Sequence, residues 1–147
     1  MRLLSVFQAS LNVLDKLLPL DTDPASQQTI IKLKYLSAYQ ILRSLDILLT
    51  ERSAQLRPES RAVVQSIIDR PNARLITDAS RKPFRSTLMH YAPSPGDTRI
   101  DLTTLSLGQP LYGLVEQCFS MDPASFDVLL GTLIAEIASE MNAWAGA

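Results

Sequence analysis

The sequence predicts an all-α fold, a compact helical bundle of about five helices with an up-down four-helix-bundle-like core plus short helices. Apolar residues recur at steps of three and four in several segments, which places them on one side of a helix. Two of these segments follow an Asp-Pro pair, which is a common helix start. Strand-like alternation is confined to residues 73–76, which is too short for a sheet.

Length and composition indicate one domain. The chain has 147 residues, of which 46% are hydrophobic and 20% charged, and this is enough to bury a core. We therefore expect residues 1–147 to form a single helical domain.

The first predicted helix spans about residues 2–19. Its apolar stripe consists of Leu4, Phe7, Leu11, Leu14 and Leu18. Polar residues interrupt any continuous apolar run, namely Gln8, Asn12, Asp15 and Lys16. The segment therefore resembles an amphipathic helix more than a signal peptide.

The second predicted helix begins after a cap at Asp23, with Pro24 in its first position, and runs to about residue 51. Its apolar surface is wider than one stripe, so we expect it at the centre of the bundle. Tyr35 and Tyr39 lie one turn apart on it. They are either a stacking platform for a base or ordinary bundle packing with the hydroxyls reaching water.

Shorter helices are predicted next. Pro58 and Glu59 open one that continues to about residue 70, where Pro71 stops it. After an irregular stretch, Asp78 or Ser80 can cap a helix that begins near Arg81 and ends before the turn at 92–97.

Two helices complete the prediction. Pro110 opens a short one, and the pair at residues 122–123 opens a long C-terminal one. The stripe of the last helix is Phe126, Leu130, Leu133, Ile137, Met141 and Trp144. The apolar surfaces of the second and last helices exceed what one small bundle must cover, which predicts a homodimer.

Charge is unevenly distributed along the chain. Residues 57–99 hold eight Lys and Arg against four acids, whereas residues 100–147 hold six acids and no Lys or Arg. The basic segment is either an anion-binding surface or the partner of the acidic one, within the fold or across a dimer. Glu136 and Glu140, one turn apart, are expected on a solvated face.

Several kinds of chemistry are excluded or disfavoured. The single cysteine, Cys118, forms no internal disulfide and is expected to pack in the core, and a reducing cytoplasmic location is the default. With His90 as the only histidine, no metal site with several His ligands is possible in one protomer, and no metal or cofactor is predicted. The usual glycine-rich phosphate loops are missing. No run approaches the roughly 20 apolar residues of a membrane span.

The segment 84–91 carries the remaining chemistry, because Arg85 and His90 are separated by four residues in it. A histidine can move a proton near neutral pH, and an arginine can stabilise charge on a phosphate. On a regular helix the two lie roughly 140° apart. Either the helix ends before His90, or two protomers share the site. Structural roles are the alternative, with His90 as a helix cap and Arg85 paired with a C-terminal acid.

This Arg-x₄-His spacing, in a helical bundle of this size, resembles the signature of the HEPN superfamily. The resemblance implies a metal-independent endoribonuclease of a toxin or phage-defence system that acts on RNA as a homodimer. It implies Arg85, His90 and Ser86 as catalytic residues, with Ser86 standing where active members most often have Asn. A toxin of this type has an antitoxin or nucleotidyltransferase partner.

The basic segment adds Arg81 and Lys82 as expected RNA-binding residues. The alternative function is a non-catalytic helical dimerisation or interaction module that retains a degenerate motif.

Overall fold

A computed structural model describes residues 6, 9–13, 23–90, 92–93 and 98–145. The described residues form helices, turns and short 3₁₀ segments without strands, which confirms the all-α prediction. The α-helices with described bounds are α1 (Pro24–Glu51), α2 (Pro58–Ile68), α3 (Pro71–Thr77), α4 (Lys82–His90), α5 (Pro110–Phe119) and α6 (Pro123–Ala145). Most of the helix predicted over 2–19 lies outside the described residues, although residues 9–13 are helical and Leu11 is fully buried.

The two Asp-Pro helix starts form the predicted caps. The amide of Ser26 donates to a carboxylate oxygen of Asp23 over 3.2 Å, and the amide of Ser125 donates to Asp122 over 2.9 Å. In each case the serine hydroxyl donates to the second carboxylate oxygen. The same four residues, Asp-Pro-Ala-Ser, therefore form the same helix cap twice, because every hydrogen bond in this cap joins residues that are close in sequence.

Helix α3 corrects the prediction of an irregular stretch after Pro71. Pro71 is the first residue of a new helix, in which Ala73 and Ile76 are buried. A proline ends the preceding helix because it lacks an N–H, and for the same reason it fits the first helical position. Proline therefore marks an end and a start at one place, and only the end was predicted.

Helix α1 lies at the centre, as predicted, in contact with α2, α3, α5 and α6. Four aromatic rings from four helices meet beside it: Tyr35, Phe84, Phe119 and Phe126. The ring centres of Tyr35 and Phe84 are 4.7 Å apart, and those of Phe84 and Phe119 are 5.0 Å apart. Phe84 thus anchors α4 in the core and fixes how its polar residues are presented.

Some of the unevenly distributed charges form ion pairs inside the fold. Arg70 forms ion pairs with Glu136, over 2.8 Å, and with Glu140. The expectation that these two glutamates lie on a solvated face holds only in part: both are half-exposed, but Arg70, which lies between α2 and α3, reaches α6 and pairs with them. Lys34, which is buried, similarly pairs with Asp127 over 2.5 Å.

Among the described helices, none is by itself long and apolar enough to cross a membrane. Helices α5 and α6 would meet those requirements only as a pair, and they are bent by 76° at their junction.

Candidate functional site

Helix α4 carries the predicted site, and a short 3₁₀ turn, Ala79–Arg81, leads into it. Asp78 caps this turn by accepting a hydrogen bond of 2.7 Å from the amide of Ser80. The Ser80 hydroxyl also donates to that carboxylate, and these bonds hold the pKa of Asp78 below its usual range. The cap therefore fixes where α4 begins, and with it the positions of the side chains that follow.

The course of α4 decides between the two geometries expected for Arg85 and His90. The helix includes His90 as its last residue, so the possibility that it ends before His90 is excluded. The five helical steps from Arg85 to His90 separate the two residues by roughly 140° around the helix and about 7.5 Å along its axis. They do not share one side of α4.

Arg85 is half-buried and held without an acid. Its Nη1 donates to the carbonyl of Asp78 over 3.0 Å, and its Cζ lies 4.4 Å from the ring centre of Tyr39. Within the described ranges, the expected ion pair of Arg85 with a C-terminal acid is not formed. A carbonyl and a ring orient this guanidinium through partial charges, and the carboxylate of Asp78 lies near enough for Arg85 to lower its pKa, so part of the positive charge remains available.

His90 and Ser86 lie on one side of α4, a turn apart. His90 is exposed and Ser86 is half-buried. Met89, beside His90, is 52% exposed. The structure thus brings Ser86 and His90 near each other and places Arg85 away from them.

The two predicted RNA-binding residues differ in their surroundings. Arg81 donates from Nη1 to the carbonyl of Cys118, and its Cζ lies 5.1 Å from the ring centre of Phe119. It therefore satisfies a carbonyl in the last turn of α5, a common role for a basic side chain. Lys82, at the first position of α4, is exposed.

Tyr35 and Tyr39 pack in the bundle, as the second alternative predicted, but the Tyr35 hydroxyl does not reach water as that alternative expected. Their rings are stacked, with centres 6.5 Å apart, but Tyr35 is completely buried, so its hydroxyl does not reach water and its ring is no open platform. Burial raises the pKa of Tyr35 well above its usual value, although the Arg85 cation opposes this. Tyr39 lies against Arg85. No sequence signal links Tyr39 with Arg85, since they are far apart along the chain.

Other candidate chemistry lies elsewhere or is not assembled. Cys118 packs against the core, as expected. No three His, Cys, Asp or Glu side chains in the described ranges are grouped closely enough to hold a metal ion. A cavity of about 150 Å³ lies between α1, α2 and α3, with the Arg43–Asp46 ion pair in its lining, and it is separate from α4.

Comparison of the chain with protein-family models, curated proteins and solved structures gives no match. The function is therefore inferred from the geometry of α4 and its neighbours.

Proposed function

We propose that this chain is a HEPN-like, metal-independent endoribonuclease of a toxin or phage-defence system that acts on RNA as a homodimer. One observation supports this most strongly. Arg81, Lys82 and Arg85 form no ion pair with an acid in the part of the chain that the structure describes, whereas Lys34, Arg70 and Arg74 do. Positive charge is thus concentrated at the start of α4, where the nearby carboxylate of Asp78 offsets part of it, and such a surface suits a phosphate backbone.

The proposed reaction needs no metal. The 2′-hydroxyl of the RNA loses its proton to a base and attacks the adjacent phosphorus. The bond from phosphorus to the 5′-oxygen breaks, that oxygen takes up a proton, and a 2′,3′-cyclic phosphate remains. His90 moves the proton, Arg85 stabilises the negative charge on the phosphate, and Ser86 orients one of them.

The proposed chemistry uses two copies of the chain. Because Arg85 and His90 lie on different sides of α4, one copy supplies Arg85 and the other supplies His90 to each site. The exposed position of His90 is compatible with such sharing.

The second candidate is a non-catalytic helical dimerisation module. A specific observation favours it: Arg81 and Arg85 each donate to a backbone carbonyl, at Cys118 and Asp78 respectively. Such bonds tie α4 to its neighbours, which is a sufficient structural role for both arginines.

A cleavage assay in EDTA separates the two functions. The wild type should cleave RNA, and Arg85→Ala and His90→Ala should each reduce the rate by about 10²–10⁴-fold, because each removes one group that acts in the transition state. Circular dichroism should show an intact fold in both variants. A mixture of the two variants should recover part of the activity, since a mixed dimer contains one site with both groups. Absence of cleavage by the wild type would favour the interaction module.

Salt dependence tests the binding surface by itself. The affinity for RNA should fall steeply as salt rises, and Lys82→Ala should weaken binding without abolishing cleavage. Arg52→Ala is the matched control, because Arg52 is exposed and directly follows the end of α1, about 20 Å along the helix axis from Tyr39. Binding that is insensitive to salt would leave the charges on α4 with structural roles only.

A further inference from the structure

The cavity between α1, α2 and α3 has an apolar floor. Leu42 and Ala73, which line it, are each only 1% exposed, and Ile68, also in the lining, is half-buried. The cavity volume is about 150 Å³, and a cavity of roughly this volume holds an apolar group of about the size of benzene. Water finds few hydrogen-bond partners against such a floor, so the floor suits a small apolar group.

The rim of the cavity carries one cation and one anion, both from α1. Nη1 of Arg43 donates to Oδ2 of Asp46 over 2.6 Å, and the two side chains are 54% and 41% exposed. Neither side chain makes a further hydrogen bond with the part of the chain that the structure describes. The remaining donors of the guanidinium and the second carboxylate oxygen are therefore available to a ligand.

Thr77 adds a third polar group, on the α3 side of the cavity. Its hydroxyl donates to the carbonyl of Ala73 over 2.9 Å, so its oxygen can still accept a hydrogen bond. The lining thus holds one group that pairs with a carboxylate, Arg43, and two acceptors for an ammonium group, Asp46 and Thr77. This polarity matches a small molecule that has an apolar body and a head with both charges.

We propose that this cavity binds an α-amino acid with a small aliphatic side chain. The side chain lies on the floor, the carboxylate pairs with Arg43, and the ammonium group pairs with Asp46. A ligand with a carboxylate alone would place it beside the like charge of Asp46, and an amine alone would face Arg43. The Arg43–Asp46 pair is exposed, so it can open for the ligand at little cost. The proposal is independent of the ribonuclease function, because the cavity is separate from α4.

An NMR titration of the ¹⁵N-labelled protein with L-leucine tests this. The amide signals of Ala73 and Thr77 should shift and saturate with a Kd on the order of 1 mM, as expected for so small a ligand. Two analogues keep the carbon skeleton and lack one charge: 4-methylpentanoate has no ammonium group, and 3-methylbutylamine has no carboxylate. Each should bind about tenfold more weakly, as for the loss of one charged hydrogen bond. Glycine, which has no apolar body, should cause no shift.

Variants of the rim show which residue recognises which end of the ligand. Arg43→Met should weaken leucine about tenfold and leave 3-methylbutylamine unchanged or tighter, because that amine has no carboxylate to lose a partner. Asp46→Asn should weaken leucine similarly and leave 4-methylpentanoate unchanged or tighter. Arg74→Met is the matched control, since Arg74 forms an exposed ion pair with Asp69 outside the lining and its loss should leave leucine binding unchanged.

A variant of the floor tests the apolar half of the site. Ala73→Leu should fill the cavity and abolish the leucine-induced shifts, and circular dichroism should show that its fold is kept. If this variant does not fold, the rim variants still decide, because Arg43 and Asp46 lie at the surface. Absence of saturable shifts in the wild type would overturn the proposal, as would leucine binding that both rim variants leave unchanged. Equal affinity for leucine and its two analogues would overturn the assignment of an amino acid.

Discussion

Two arginines of this protein are held by carbonyl groups and aromatic rings, and this matters for what they can bind. Arg81 contacts the carbonyl of Cys118 and the ring of Phe119, and Arg85 contacts the carbonyl of Asp78 and the ring of Tyr39. A cation over a ring gains about 0.5–2 kcal/mol, depending on its exposure. An acid would attract the cation more strongly but would also cancel the charge that a phosphate needs. Arg70 is an example of such cancellation, because two glutamates pair with it and neutralise its charge.

The buried ion pair between Lys34 and Asp127 gives a prediction at the same scale. The Lys34 side chain is 4% exposed and that of Asp127 is 41% exposed. Asp127→Ala would leave a buried ammonium group without its partner and should lower the free energy of unfolding by about 1–3 kcal/mol. Lys34→Met replaces the cation with an apolar chain of similar length and should be nearly neutral.

Urea unfolding of the two variants measures this asymmetry. Asp46→Ala is the control, since its ion pair with Arg43 is exposed on both sides and its loss should cost less than about 1 kcal/mol. Equal losses in Asp127→Ala and Lys34→Met would mean that the pair itself stabilises the fold, and would contradict the prediction.

At the scale of elements, prolines and caps decide where the helices begin. Five of the six helices with described bounds have proline at their first residue, and α4 instead follows a 3₁₀ turn capped by Asp78. The fixed φ of proline suits the first turn, and its missing N–H is not needed there. Apart from residues 91–109 between α4 and α5, the connections between successive helices are short.

The cap of α6 predicts how stability changes with pH. Hydrogen bonds from Ser125 lower the pKa of Asp122 in the folded state. The stabilisation is therefore fully present above the carboxyl's ordinary pKa and is lost as the pH falls through the lowered, folded-state pKa. Asp122→Asn should keep the cap and reduce this acid sensitivity, whereas Asp122→Ala should unfold at a lower temperature at neutral pH.

Thermal unfolding from neutral to acidic pH checks both variants. The difference between the wild type and Asp122→Ala should shrink in acid, because the wild type loses its cap there. Ser125→Ala should move the acid transition upward, since it removes the hydroxyl that donates to Asp122. A variant Asp122→Asn as unstable as Asp122→Ala would show that charge, and not hydrogen bonding, makes the cap.

At the scale of the whole molecule, the bundle itself covers most of the apolar surface from which a dimer was predicted. The stripes of α1 and α6 are largely buried within one chain, and the exposed exceptions include Leu33 and Val128. A surplus of apolar surface on those helices is therefore a weaker reason for dimerisation than the sequence suggested. The remaining reason is the need to bring Arg85 and His90 together.

Dimerisation through α4 is the corresponding prediction. Sedimentation equilibrium should give a dimer mass, and Met89→Glu should weaken the dimer and reduce cleavage, because Met89 is exposed beside His90. Val128→Glu, on α6, changes a residue of similar exposure and should leave the dimer intact. A monomer mass at every concentration would exclude a shared site.

The sequence by itself determined the all-α class, the starts at Asp23 and Asp122, and the helix that carries Arg85 and His90. These features depend on residues within a few positions of one another, so spacing and caps are enough to predict them. The same local rules predicted that Pro71 ends one helix but not that it begins the next, because one proline can do both.

Tertiary structure alone decided what the polar side chains contact. Arg70 meets α6, Arg81 meets the end of α5, and Arg85 meets Tyr39 of α1. Tertiary structure also decided that the Tyr35 side chain is buried. The partners in each case are tens of residues apart along the chain, and their approach follows from how Phe84 and its neighbouring rings pack the helices together. Charge and periodicity in the sequence predicted a central α1 and allowed pairing of the basic with the acidic segment, but they showed which residues could act and not which of them meet.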